Sequence, residues 1–109
     1  MNRHKLKALR NLFHLSVKEA AEHVGHVSAR TWNYWENGTY NIPADVIDEM
    51  WRLCELRNKW IYLWYLAPNH AHDFTDYVNE KGEIKYTEWR VSQSVYAHRL
   101  CLDRFHRDF

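Results

Sequence analysis

The chain has 109 residues, with 15 Lys/Arg against 14 Asp/Glu and a formal net charge of +1. That length allows one domain, or one small domain with an appendage, and near-neutrality gives no whole-molecule reason to expect nucleic acid. Six Trp against three Gly and two Pro exclude collagen-like, low-complexity and disordered chains and favour a helical globule.

Leu6, Leu9, Leu12 and Phe13 recur at helical spacing, with Lys5, Lys7 and Arg10 between them. This predicts an amphipathic first helix over residues 2–13. Ser16 with Glu19 three residues on is a capping box, so a second helix starts at Val17 and stops at Gly25. Ser28 caps a third, from Ala29 to Glu36, which Asn37-Gly38 ends. Pro43 opens a fourth helix at the position where a missing N–H does no harm. Asp45, Asp48 and Glu49 in its first turns suit the helix dipole. Ile47, Met50, Cys54, Ile61 and Trp64 follow a heptad-like seam interrupted by Arg57, and the helix runs to Leu66 before Pro68.

Beyond it the pattern weakens. Residues 73–79 fit a short helix, Lys81-Gly82 a turn, and the alternation Glu83-Ile84-Lys85-Tyr86 a short strand. Trp89, Val91, Val95, Tyr96, Leu100, Leu102 and Phe105 return to helical spacing over residues 87–105. The charge divides along the same line: residues 1–41 hold six Lys/Arg and three Asp/Glu, residues 42–109 nine and eleven. A basic front and an acidic rear point to two tasks on one chain.

Other classes receive little support. The apolar run from Trp60 to Ala67 is far short of the roughly 20 residues of a membrane helix. The first five residues carry no apolar core of a signal peptide, so the expected compartment is cytoplasmic. Cys54 and Cys101 form no CxxC and are expected as buried, reduced thiols. His70 and His72 share a face if extended, but no third ligand is set by spacing, so no metal and no cofactor are assigned. No Gly-rich phosphate loop, G-x-S-x-G or HExxH is present, so no enzyme is expected.

Two short helices joined by a tight turn suggest a helix-turn-helix. At about 100° per residue, with Ala29 at zero, Asn33 lies near 40°, Arg30 near 100° and Tyr34 near 140°, while Trp35 and Trp32 lie near 240° and 300°. The tryptophans face one way and the polar residues the other, the division a DNA-recognition helix needs. Arg30 suits guanine O6 and N7, Asn33 adenine N6 and N7, and Tyr34 a thymine methyl or a phosphate. Ser28 and Thr31 are short donors for phosphate oxygens at the helix start. The same pattern also fits a plain amphipathic surface helix.

Leu15-Ser16-Val17-Lys18-Glu19-Ala20-Ala21-Glu22-His23-Val24-Gly25, followed by Arg30-Thr31-Trp32-Asn33-Tyr34-Trp35-Glu36-Asn37-Gly38, resembles the XRE-type helix-turn-helix. More closely, the chain resembles the YdiL-like and anti-CRISPR-associated (Aca) repressors. That likeness rests on Leu9-Arg10, Val27-Ser28-Ala29-Arg30, Tyr34-Trp35-Glu36, Ile42-Pro43-Ala44-Asp45 and Trp89-Arg90-Val91-Ser92-Gln93-Ser94-Val95. Two departures stand out. Val17 replaces the glutamine that XRE domains use on phosphate, and one extra residue lies between Gly25 and Arg30. The resemblance implies a structural ion pair between Arg10 and Glu36. It also implies a phosphate-following loop at Asn37, Thr39, Tyr40 and Asn41.

Together these give a mainly α chain. An N-terminal lambda-repressor-like helix-turn-helix bundle with a long fourth helix fills residues 1–67. A C-terminal helical dimerisation segment with one short strand fills residues 68–109. The expected function is a sequence-specific, double-stranded DNA-binding transcriptional repressor, a homodimer on a palindromic operator that autoregulates its own operon. Arg30, Asn33, Tyr34 and Ala29 are the expected base readers. Ser28, Thr31, Asn37, Thr39, Tyr40, Asn41 and Lys5 are the expected phosphate contacts. Trp60, Ile61, Trp64, Trp89, Val95 and Tyr96 are the expected dimer seam, though the same aromatics also fit a monomeric core. An antitoxin-like module that holds a protein partner on its aromatic rear, and an RNA-binding regulator, are the alternatives.

Overall fold

A computed structural model describes residues 1–66 and 85–107 of the chain, and every regular element among them is helical. Helix α1 (Arg3–Leu12) starts where the Asn2 side chain accepts the Lys5 N–H at 2.9 Å, satisfying one of the orphan donors of a helix start. It stops at a left-handed residue, His14 (φ 59°), where the Leu15 N–H bonds back to the Arg10 carbonyl at 3.1 Å.

Helix α2 (Val17–Ala20) opens on the expected capping box. Ser16 Oγ accepts the Glu19 N–H at 3.1 Å, and Glu19 Oε1 accepts the Ser16 N–H at 3.0 Å. The helix then widens into a π-helical turn, Ala21–Gly25. A π turn takes in one more residue than an α turn, which gives room for the residue between Gly25 and Arg30 that the XRE pattern lacks. The reversal itself falls on His26 (φ 52°), not on the expected Gly25. Gly25 serves a packing need instead: a Cβ there would stand 3.1 Å from Trp35 Cζ3 and 3.2 Å from Trp32 Cε3.

Helix α3 (Ala29–Glu36) is capped by Ser28, whose hydroxyl oxygen accepts the Thr31 N–H at 3.2 Å. Helix α4 (Ala44–Leu66) begins after Pro43, whose carbonyl accepts the Ile47 N–H at 3.1 Å. Helix α5 (Tyr86–Arg107) completes the described chain. The strand expected over residues 83–86 does not form where it is described: Lys85 is irregular and Tyr86 is already helical. Four alternating residues carry too little signal against the helical spacing that follows from Trp89. Residues 83 and 84, the short helix expected over 73–79, the turn at Lys81-Gly82, and His70 and His72 lie outside the described residues.

One core joins front and rear. Leu6, Phe13, Leu15, Ala20, Trp32, Val46, Met50, Leu53 and, from α5, Val91 pack into a single buried cluster. Two contacts fix the lie of α5 on α4. Arg52 Nη1 donates to Glu88 Oε1 at 3.2 Å and Arg57 Nε to Ser94 Oγ at 3.1 Å. The partners advance together along both helices, so α4 and α5 run side by side in the same direction. Ser92 and Ser94 are buried, with their hydroxyls donated to the Trp89 and Val91 carbonyls of their own helix. Arg57, the residue that breaks the apolar pattern of α4, is absorbed by the Ser94 hydroxyl. Burial lowers the Arg57 guanidinium from its ordinary value. Of the cysteines expected as buried, Cys54 is half-buried and Cys101 is exposed on α5; both are free thiols.

Candidate nucleic-acid interface

The rotation argument for α3 holds in three dimensions. Trp32 is 0% and Trp35 5% exposed, with ring centroids 5.4 Å apart. Losing a buried Trp of this kind costs about 3–5 kcal/mol, so the two rings set the pose of the helix. On the far side Arg30 and Asn33 are exposed, while Ala29 and Tyr34 are partly exposed. Arg30 is already posed. Its Nε donates to Tyr34 Oη at 2.7 Å, and its guanidinium carbon lies 5.7 Å from the Tyr34 ring centre. Tyr40 meets Tyr34 edge-on at 5.3 Å. The bond uses Nε and leaves the two terminal nitrogens of exposed Arg30 as donors, enough for a bidentate contact with a guanine edge.

Behind α3, Arg10 closes on Glu36 with two hydrogen bonds, Nε to Oε2 at 2.7 Å and Nη2 to Oε1 at 3.1 Å. Its third arm, Nη1, donates to the Leu15 carbonyl at 2.9 Å, and Trp32 Nε1 donates to Glu36 Oε2. The pair implied by the family resemblance is therefore present, and Arg10 is turned inward rather than toward a ligand.

The expected phosphate contacts separate into groups. Ser28 and Thr31 share a hydroxyl–hydroxyl bond of 3.1 Å at the start of α3. Asn37 Oδ1 accepts both the Thr39 N–H at 2.9 Å and the Thr39 hydroxyl at 2.5 Å. This commits the Thr39 proton but leaves the Asn37 amide N–H groups as donors. Tyr40 is 60% exposed, and Asn41 is exposed beside it. Lys5 is exposed on α1. A residue that the sequence pattern does not single out joins the loop: Arg3 Nη1 donates to the Asn37 carbonyl at 3.0 Å. Nothing in the local pattern around Arg3 announces a bond across 34 positions of chain.

The expected dimer residues fall on both sides of the surface. Val95 is 1% exposed, buried within the chain itself. Trp60, Ile61 and Trp89 are partly buried, and the Trp64 side chain lies outside the described residues. Tyr96 is 45% exposed and joins Tyr62, Leu63 and Leu100 as large exposed side chains on α4 and α5. Sequence spacing also gives no sign of the clasp between rear and front. Glu19 Oε2 accepts the Tyr86 hydroxyl and Arg90 Nη2, the latter at 3.2 Å, and the His23 ring stacks on Tyr86 at 4.5 Å. Partial burial pushes the Glu19 carboxyl up. The hydrogen bonds from Ser16 and the bond and charge of Arg90 outweigh that, so it lies below its ordinary value.

Among the described residues no helix is long and apolar enough to cross a membrane. The Aca2/YdiL-like family model matches residues 1–105. The chain is similar to the Aca2 repressor of Pectobacterium phage ZF40, at 37% identity over 108 residues that cover 89% of this chain and 90% of that protein. It is also similar to the uncharacterized protein YdiL of Escherichia coli strain K12, at 27% identity over 118 residues that cover 93% of this chain and 100% of that one.

Proposed function

The chain belongs to the Aca2/YdiL-like family, and from that premise we propose that it is a sequence-specific, double-stranded DNA-binding transcriptional repressor. The observation that carries this reading is the two-sided α3. Trp32 and Trp35 are buried on one side, and Arg30, held by Tyr34, is presented with Asn33 on the other. A repressor among the relatives supports the regulatory role.

In this mechanism α3 enters the major groove. Arg30 bonds guanine O6 and N7, Asn33 bonds adenine N6 and N7, and Tyr34 and Ala29 meet thymine methyls. Ser28, Thr31, Asn37, Tyr40, Asn41 and Lys5 hold phosphates and set the register without reading sequence. The Thr39 N–H and hydroxyl are both donated to Asn37 Oδ1 and orient that amide. One α3 reads few base pairs, so the protein acts as a homodimer on a palindrome, with half-sites about 34 Å apart. The exposed Tyr62, Leu63, Tyr96 and Leu100 supply the apolar face for that dimer. Occupied promoter DNA excludes polymerase, and the operator lies upstream of the protein's own gene.

The deciding experiment is fluorescence anisotropy with a labelled duplex from directly upstream of the gene. A scrambled duplex and an RNA hairpin of equal length serve as competitors. The proposal expects the upstream duplex to win by roughly a thousandfold or more, the usual span between specific and non-specific sites. Equal competition by the scrambled duplex overturns sequence-specific reading, and preferential competition by the hairpin replaces DNA with RNA.

A further inference from the structure

An open hollow of about 420 Å³ lies where the start of α1 meets the loop after α3. Its floor is Trp35 and Ile42, and its rim carries Asn2, Arg3, Tyr40 and Asn41. No acidic residue lines it, and among the described residues Arg3 makes no ion pair. A cationic, donor-rich hollow without a carboxylate suits an anion.

Arg3 is seated rather than loose. Its Nη1 donates to the Asn37 carbonyl at 3.0 Å. Gly38 sits at φ +83°, and a Cβ there would approach Arg3 Cδ to 3.2 Å and Nη1 to 3.3 Å. Gly38 thus serves two ends: it permits the left-handed turn, and it leaves the space the Arg3 side chain occupies. One guanidinium nitrogen is used on the carbonyl. The others remain for a ligand in a hollow that Asn2, Tyr40 and Asn41 also line.

We propose that this hollow is a phosphodiester seat, with Arg3 as its charged contact, which takes a backbone phosphate of the duplex beside the segment read by α3. The proposal rests on the DNA reading above, which already places Tyr40 and Asn41 on phosphate, and adds to that loop its one charged contact, Arg3, from the start of α1. Arg3 contributes affinity and register at this seat and no base preference.

The test is the salt dependence of duplex binding in wild type, Arg3→Met, Arg3→Lys and Lys59→Met. Methionine keeps an unbranched stem in the Gly38 space and removes the charge. Lys59 is exposed on α4, away from the hollow, and controls for bulk charge. Each phosphate that a protein neutralises adds about 0.9 to the steepness of log K against log salt. Arg3→Met is expected to flatten the slope by about that much per protomer and to weaken upstream and scrambled duplexes by the same factor. Arg3→Lys is expected to recover most of the slope, and Lys59→Met to keep it. An unchanged slope in Arg3→Met, with the wild type still binding, overturns the seat alone. So does an equal flattening in Lys59→Met. Absence of duplex binding by the wild type at any salt overturns the DNA reading and this seat together.

Discussion

Arg10 and Glu36 lie 26 positions apart in the chain and meet through two parallel hydrogen bonds, between side chains 10% and 9% exposed. The pair fastens α1 to the end of α3. Glu36 also takes the Trp32 indole N–H, so one carboxylate orients the anchor ring and the helix end together.

Removing Arg10 leaves that carboxylate buried without its cation, a change that costs roughly 3–5 kcal/mol in comparable sites. Arg10→Ala is therefore expected to lower the urea midpoint sharply and to lose DNA binding through unfolding. Glu36→Gln keeps an acceptor for Trp32 and is expected to cost less. Chemical denaturation followed by circular dichroism measures both. An Arg10→Ala protein as stable as wild type shows that the pair is not holding α1 to α3.

Glu19 gives the pH dependence a direction. Its folded carboxyl titrates below the ordinary value of 4.5. A depressed acid contributes stability above its unfolded pKa and loses that contribution as pH falls through the folded one. Wild type is then expected to lose stability below about pH 4.5 more steeply than Glu19→Gln. Glutamine can still close the capping box with Ser16, so the comparison reports the carboxylate charge against Ser16 first and Arg90 second. Parallel urea midpoints for the two proteins from roughly pH 3 to pH 7, the range that spans the carboxylate titration, contradict the lowered carboxyl.

Gly25 is the tightest point of the hairpin. A methyl there meets Val27 Cγ2 at 3.1 Å as well as both tryptophan rings, and these buried side chains must give way to admit it. Gly25→Ala is expected to cost about 1–3 kcal/mol, the usual range for overpacking. His26→Gly relieves a left-handed non-glycine residue worth about 1–2 kcal/mol against a glycine entropy cost of about 0.5–1 kcal/mol, and should stabilise slightly. Thermal melts of the two variants should move in opposite directions.

These positions show what sequence does and does not reveal. The caps at Ser16 and Ser28 are local chemistry, decided within three residues, and they are legible from the chain alone. So is the burial of Trp32 and Trp35, since helical rotation alone sets it. The Arg10–Glu36 pair follows from family resemblance and not from spacing. Gly25 suggests a stop that falls instead on His26, because a glycine after a helix ordinarily marks left-handed backbone, whereas here it marks close packing. Arg3 on Asn37 and Arg90 on Glu19 span 34 and 71 positions, and no periodicity encodes such contacts. Val95 and Tyr96 are adjacent in sequence and opposite in burial, a distinction that emerges only once α5 is placed on α4.

The dimer proposal narrows accordingly to the residues that remain outside. Tyr96 and Leu100 are one helical turn apart on α5, 45% and 50% exposed. Light scattering is expected to give a homodimer for wild type and a monomer for the double variant Tyr96→Glu, Leu100→Glu. Both sites are exposed, so the monomer should keep its helical circular dichroism. It should also bind a half-site duplex as wild type does while losing the avidity on the full palindrome. A double variant that remains dimeric places the seam elsewhere.

Base reading is tested last, because it needs the preceding controls. Arg30→Ala should cost about 1–3 kcal/mol on the best duplex and relax preference at one base pair only. Tyr34→Phe keeps the ring under the guanidinium but removes the hydroxyl that fixes Nε at 2.7 Å. Its cost should be smaller, and it should show as weaker discrimination rather than a changed salt slope, since no phosphate charge is involved. Asn33→Ala should relax a different base pair from Arg30→Ala. Binding profiles over a duplex library randomised one position at a time separate these outcomes. If Arg30→Ala leaves the preference at every position unchanged while the double variant on α5 still behaves as a folded half-site binder, α3 does not enter the groove in this register.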